Sequence, residues 1–322
     1  VMDGLGDGIS ASVWSGENNR LQLLKEYDGS GSLAWFYGNA TEALGWRQGS
    51  DEWKVMGLAP YGAPCPGIFA GFYPEYEMGE LVKPHNFPRH EILPDHGSYH
   101  WHNGDAFDLR KQVEHVGREN FACEVQRISE EQALNFILPW IKKEKTRKFC
   151  FAGGFFHNVK FNQRLWYENE LKSQWIFPNA GDAGLAVGSA FDAYYTSNPK
   201  EKIYSLEHLY YGPEYTHNEI QEILDARQLK YENHEDPIPA TAEFLRRNLV
   251  VGWFQGRMED GPRALGNRSI LMSPLNPKNK DIINLKIKYR EPFRPFCPSV
   301  LAEKYDEYFI NARDERFMIT SF

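Results

Sequence analysis

Between residues 148 and 197 the sequence runs twice through one local plan: an apolar strand-type stretch, a glycine-punctuated turn, then a helix-type stretch. The first pass is KFCFAGG with a helix expected from about residue 158; the second is QWIFPN, the turn GDAG and another helix. Strands joined through helices pair side by side only when the helices cover the sheet, so the plan calls for an α/β layered fold. The alternation resumes further on. Thr216 and Glu219 have capping-box spacing ahead of Ile220, Ile223 and Leu224, and a helix near 240–248 feeds the strand LVVGWF.

The flanking segments are less regular. Residues 1–26 read as a hairpin of two strands, DGLGDGISASVW and LQLLKEY, around a turn at Gly16 to Asn19. Residues 65–115 hold most of the histidines among many prolines and glycines, and read as an irregular excursion. From about 117 to 143, Phe121, Val125, Ile128, Leu134, Ile137 and Ile141 recur at helical spacing, with Pro139 expected to kink or break the last turn. Around 197–215 the composition turns to Asn, Pro, Lys and Gly, which sets a boundary near residue 203 and two lobes, 1–202 and 203–322.

Function classes narrow with the charge. A net charge of −8 over 322 residues speaks against a nucleic-acid partner, since that affinity rests on a Lys/Arg surplus. No run of 18 apolar residues occurs, so no membrane span is expected. The four scattered cysteines form neither a zinc knuckle nor a disulfide framework, which makes the cytoplasm the expected compartment.

Against that acidic background, residues 255–296 carry nine Lys/Arg and four Asp/Glu, a local +5. Here GWFQGRMEDGPRALGNRSILMSP sets Arg257, Arg263 and Arg268 in a Gly- and Pro-punctuated loop between two strands, and LKIKYREPFRPF adds Lys286, Lys288, Arg290 and Arg294. Guanidinium forks donate paired hydrogen bonds to phosphate or carboxylate oxygens and stabilise charge that develops during phosphoryl or nucleotidyl transfer. The alternative is a solvated basic face; the prolines beside the arginines favour a built pocket.

Three further turns suit phosphates. Gly153-Gly154 ends a strand ahead of a helix carrying Asn158 and Asn162 on one face, Gly181-Asp182-Ala183-Gly184 repeats the arrangement, and Asp3-Gly4-Leu5-Gly6-Asp7-Gly8 makes a third. Each alone is equally a tight connection, and Asp182 alone equally a helix cap. Together they suggest a nucleotide cleft, with His157 beside it. His96, His100 and His102 have a spacing open to a metal, without supporting ligands.

These motifs resemble the O-carbamoyltransferases of nodulation, tobramycin and cephalosporin biosynthesis. KVMGLAPYG at Lys54 to Gly62, AGG with Asn158, GDAG, GRMEDGPRALGNRSIL and KYREPFRPFCPSVL occur in the family's order and span most of the chain. The resemblance implies an actin- and sugar-kinase-like ATPase lobe fused to a YrdC-like lobe. It implies that ATP, with Mg2+, and carbamoyl phosphate form carbamoyl-adenylate in the second lobe, at Arg257, Arg263, Arg268, Lys288, Arg290 and Arg294. The first lobe would pass the carbamoyl group to a small hydroxylated acceptor, a sugar or an antibiotic.

In that first lobe the resemblance assigns nucleotide contacts to Gly6, Gly153, Gly154, Asn158, Asn162, Gly181, Asp182 and Gly184, and Fe2+ or another divalent metal to Asp3 and Asp182. The family's histidine ligands would precede residue 1, and the last third of its YrdC-like lobe would follow residue 322, so the chain reads as truncated at both ends. Asp260 stands where the family usually has an aromatic residue. A homodimer is compatible with the sequence. Two other readings stand beside it: a tRNA threonylcarbamoyl transferase, which shares the ATPase-like lobe, and a nucleotide-binding fragment or regulatory module without chemistry.

Overall fold

The computed structural model describes the chain apart from residues 18–19, 86–89, 93–100, 145–147, 169–170 and 172. It is a mixed α/β protein whose residues fall into two compact units. One comprises Val1–Glu201 with Phe309–Ala312 and Ile319–Phe322, the other Lys202–Tyr308 with Arg313–Met318.

The first unit opens on an antiparallel three-stranded sheet of β1 (Met2–Gly6), β2 (Ile9–Glu17) and β3 (Arg20–Asp28). The glycine-rich opening is therefore two strands, where the alternation predicts one. Asp7 (φ 52°) and Gly8 (φ 84°) make a two-residue turn between β1 and β2, and left-handed pairs of this kind match the twist of the strands they join.

Next come α1 (Leu33–Ala43), α2 (Glu52–Leu58), the short hairpin of β4 (Glu75–Glu77) and β5 (Glu80–Lys83), and the pair β6 (His90–Ile92) and β7 (Trp101–Asn103). Helices α3 (Gly104–Val116) and α4 (Arg118–Lys143) follow. The expected irregular excursion thus contains two hairpins and a 13-residue helix. Of the spaced histidines, His96 and His100 lie outside the described residues, as do the side-chain surroundings of His102.

Helix α4 runs unbroken through Pro139, against the expected kink. A proline ring leaves the carbonyl four residues earlier without its helical donor. That carbonyl, Asn135 O, accepts instead from Gly79 N at 3.1 Å, so the β4–β5 turn completes the helix.

The core of this unit is aromatic. Phe36, Phe69, Phe121, Phe156 and Phe161 are fully buried, with Phe69 and Phe121 edge to face at 4.8 Å. The motif KVMGLAPYG supplies α2 and the turn after it, packed on α4: a Cβ at Gly62 would lie 2.0 Å from Glu119 O, and Ala63 N donates to Asn120 Oδ1 at 2.8 Å. Only glycine permits that approach. The unit closes with the parallel pair β8 (Lys148–Phe151) and β9 (Ser173–Ile176), joined through α5 (Val159–Trp166), and then α6 (Leu185–Ser197).

The second unit contains α7 (His217–Ala226), α8 (Ile238–Arg246), the antiparallel pair β10 (Val251–Phe254) and β11 (Arg268–Leu271), and the short helices α9 (Asn279–Ile282) and α10 (Tyr305–Tyr308). The capping box forms as its spacing predicts: Thr216 N donates to Glu219 Oε2 at 2.8 Å, and Glu219 N to Thr216 Oγ1 at 3.3 Å. Besides Leu209, Ile283 and Phe317, the buried residues here include Glu259, Asn267, Asn279 and Asn284. Polar networks therefore order much of this unit, because a buried polar group is tolerated only when hydrogen-bonded.

Candidate functional site

In the first unit the start of β1, the 153–157 turn and the 180–184 turn meet at the end of β8. Met2 N donates to Ala152 O (2.9 Å) and Gly153 N to Ala180 O (2.8 Å), which ties β1 and the 180–184 turn to the strand end. Gly153 has φ +102°, and a Cβ there would lie 2.0 Å from Met2 O. A Cβ at Gly154 would sit 3.0 Å from Asp3 Oδ1, and one at Gly181 would sit 3.3 Å from His157 Nε2. Asp3, Gly153, Gly154, His157 and Gly181 thus share one small neighbourhood. Gly181 N donates to His157 Nε2 at 3.2 Å, so this nitrogen carries no proton while the bond exists.

The other residues expected here serve differently. Asn158 caps α5 by accepting from Phe161 N at 3.0 Å and exchanges amide hydrogen bonds with Gln126 at 3.0 and 3.1 Å. Asn162 is fully buried and donates to Phe156 O (2.7 Å) and Ile319 O (2.6 Å), so it points into the protein and not with Asn158 from one exposed face. Gly184 is packed so that a Cβ would lie 2.1 Å from Asn179 O, while Gly6 is exposed beside the β1–β2 turn.

Asp3 Oδ1 accepts from Gly4 N at 2.7 Å, and Asp182 is exposed. Among the described residues no group of three or more His, Cys, Asp or Glu is placed to hold a metal ion. Two aspartates do not complete a coordination sphere.

The basic loop of the second unit is built around Glu259. Its side chain is 0% exposed, and Oε1 accepts from Leu265 N and Asn267 N, both at 2.7 Å. Oε2 accepts from Arg268 Nε at 2.7 Å, and Glu259 O accepts from Arg268 Nη2 at 3.0 Å. Burial raises the carboxyl pKa, but the bonds from Arg268, Leu265 and Asn267 outweigh it and hold the group down at about 2. Asn267 closes the loop from the other side by donating to Arg257 O at 2.7 Å.

The three loop arginines are therefore not equivalent. Arg268 is paired with Glu259. Arg257 is exposed and donates to Tyr211 O at 3.2 Å. Arg263 has a buried Nε without a hydrogen-bond partner, and burial lowers its pKa against the opposing pull of Cys297 and Glu315.

Cys297 follows directly on the second basic segment, whose hub is Asn284. This residue, fully buried, accepts from Arg290 Nε at 2.7 Å and donates to Arg294 O (3.0 Å) and Pro292 O (3.3 Å). Arg290 lies over the Phe296 ring at 4.8 Å, and Arg294 Nε lies 3.6 Å from Glu291 Oε2. Lys288 is exposed; its pKa is lowered first by burial of the ammonium group and then by Arg290 and Arg294. Glu259 and Asn284, which hold the two segments, escaped the sequence reading; the one signal for Glu259 is an acid within a basic stretch.

The frame is that of a mixed α/β protein with a basic loop in its second unit, and sequence comparisons place it in a family. Residues 1–191 match the model of the carbamoyltransferase N-terminus, and residues 242–322 that of the carbamoyltransferase C-terminus. An uncharacterized protein from Synechocystis is 35% identical over 96% of this chain and 52% of its own length. Nodulation protein NolO from Bradyrhizobium diazoefficiens is 33% identical over 96% of this chain and 56% of its own, and nodulation protein U from Rhizobium fredii is 34% identical over 54% of this chain and 28% of its own. The chain belongs to the carbamoyltransferase family. It spans about half the length of the curated relatives that it matches along its whole extent.

No helix among the described residues is long and apolar enough to cross a membrane.

Proposed function

We propose that this chain supports O-carbamoyl transfer in two stages. In the second unit, read as YrdC-like, ATP with Mg2+ and carbamoyl phosphate would yield carbamoyl-adenylate. The balance consumes one water and releases inorganic phosphate and pyrophosphate. In the first unit, read as actin- and sugar-kinase-like, the carbamoyl carbon would pass to a hydroxyl of a small acceptor, and AMP would leave. The mixed anhydride supplies a good leaving group, which a hydroxyl nucleophile needs because carbamoyl carbon is a weak electrophile.

The supporting observation is the buried Nε of Arg263, a guanidinium nitrogen without a hydrogen-bond partner. Lys288, in the same basic unit, is lowered first by burial of its ammonium group and then by Arg290 and Arg294. A phosphate or pyrophosphate would satisfy the unpartnered nitrogen and offset the like charges. The same charges would stabilise negative charge developing on the departing pyrophosphate. Arg263, Lys288, Arg290 and Arg294 are the proposed anion contacts, with Arg257 at the exposed edge. In the first unit the crowded glycines at 153 and 181 bring β1 and the 180–184 turn against the end of β8, their amides bonded to Ala180 O and His157 Nε2.

The protein incubated with ATP, Mg2+ and carbamoyl phosphate should release pyrophosphate, whereas ATP and Mg2+ alone should not. Release that ignores carbamoyl phosphate would rule the reading out.

A further inference from the structure

The basic loop holds three arginines, and the geometry separates their tasks. Arg268 spends Nε on Glu259 Oε2 (2.7 Å) and Nη2 on Glu259 O (3.0 Å) and, at the limit, on Arg263 O (3.5 Å). Its charge is met by a carboxylate that is itself 0% exposed. An exposed pair of this kind contributes little, but removing one partner of a buried pair leaves an uncompensated charge. The other oxygen of that carboxylate takes the backbone N–H groups of Leu265 and Asn267. One side chain thus fixes both ends of the turn that carries Arg263, whose Nε is buried with no partner. A guanidinium already neutralised is a poor anion ligand; one held in place and unpaired is a good one.

We propose that Glu259 is a positioning residue of the basic site: its carboxylate holds Arg268 as a strut and fixes the turn, so that Arg263, and not Arg268, is the guanidinium of this turn that meets the substrate anion. The inference rests on reading the second unit as the anion-binding unit. It differs from the family resemblance, which counts Arg268 among the ligands.

Isothermal titration with inorganic pyrophosphate tests it on the whole chain, comparing the wild type with E259Q, R268Q, the E259Q/R268Q double variant and R263Q in each background. E259Q and R268Q should each weaken Kd about tenfold, the loss of one charge-assisted contact's worth of order. The double variant should bind no worse than the weaker single one, because both changes break one strut. R263Q should cost about tenfold in the wild-type background and little more in E259Q, R268Q or the double variant, where its guanidinium is already displaced. Losses that multiply in the double variant to about a hundredfold would show Arg268 acting on the ligand independently and overturn the proposal.

Wild-type affinity in E259Q would overturn it too. If E259Q fails to fold, E259D replaces it: one methylene shorter, it cannot span Leu265 N, Asn267 N and Arg268 together, and unchanged affinity there contradicts the role. In turnover, E259Q should raise KM for carbamoyl phosphate while kcat falls less than about threefold; a fall in kcat alone would contradict positioning. A wild-type protein that binds no pyrophosphate would remove the functional reading itself, whereas binding with multiplicative losses removes only the assignment of roles.

Discussion

Gly79 N donates to Asn135 O at 3.1 Å, taking the acceptor that Pro139 leaves open in α4. Gly79 has φ +83°, and a Cβ there would lie 3.1 Å from Trp140 Nε1 and 3.3 Å from Pro139 Cβ. Gly79→Ala should therefore destabilise the first unit by about 1–3 kcal/mol, through left-handed strain and the loss of this bond. Urea unfolding checks it; a loss under about 0.5 kcal/mol, the scatter of ordinary surface changes, would show that the turn does not complete the helix.

Acid stability should carry the mark of Glu259. Its folded pKa of about 2 lies below the ordinary 4.5, so the group stabilises the fold fully above about 4.5 and loses that contribution as pH falls toward 2. Denaturant titrations from pH 6 to pH 2 should show a steeper acid decline in the wild type than in E259Q. Parallel curves would mean that the carboxylate is not held down.

Gly153→Ala should be among the most disruptive single changes. The new Cβ would fall 2.0 Å from Met2 O at a backbone φ of +102°, so β1 must leave the end of β8. Loss of about 3 kcal/mol or more is expected, with loss of activity. A soluble variant with wild-type melting would contradict the described contact of the turns.

The second basic segment separates scaffold from contact. Asn284→Ala removes the partner of Arg290 Nε and the donor to two carbonyls, and should cost about 1–3 kcal/mol. Lys288→Gln, on an exposed side chain, should leave the melting temperature unchanged and raise KM for carbamoyl phosphate about tenfold. Thermal melts beside steady-state kinetics distinguish the two; a Lys288→Gln enzyme with unchanged KM would remove Lys288 from the site.

What could be read from the chain beforehand followed locality. The Thr216–Glu219 cap, the passage from Ile238–Arg246 into Val251–Phe254, and the strand–turn–helix plan after Lys148 are written in neighbouring residues. Helix α3 carries Ala106, Leu109, Val113 and Val116 at helical spacing, but the surrounding histidines, prolines and glycines obscured it. Pro139 misled because its remedy lies at Gly79, outside any window around the proline. The basic segments stood out by composition. That Arg268 is paired and Arg263 is not depends on how a carboxylate nine residues before Arg268 folds back, which spacing alone does not determine. The inward turn of Asn162 likewise follows from contacts with Ile319, 157 residues away.

The most direct test follows the phosphorus. With ATP, Mg2+ and carbamoyl phosphate present, 31P NMR of the reaction should show AMP or carbamoyl-adenylate, pyrophosphate and inorganic phosphate rising in equal amounts, and no pyrophosphate when carbamoyl phosphate is omitted. ADP and phosphate as the products, with or without carbamoyl phosphate, would contradict adenylate formation at the arginine-bearing unit.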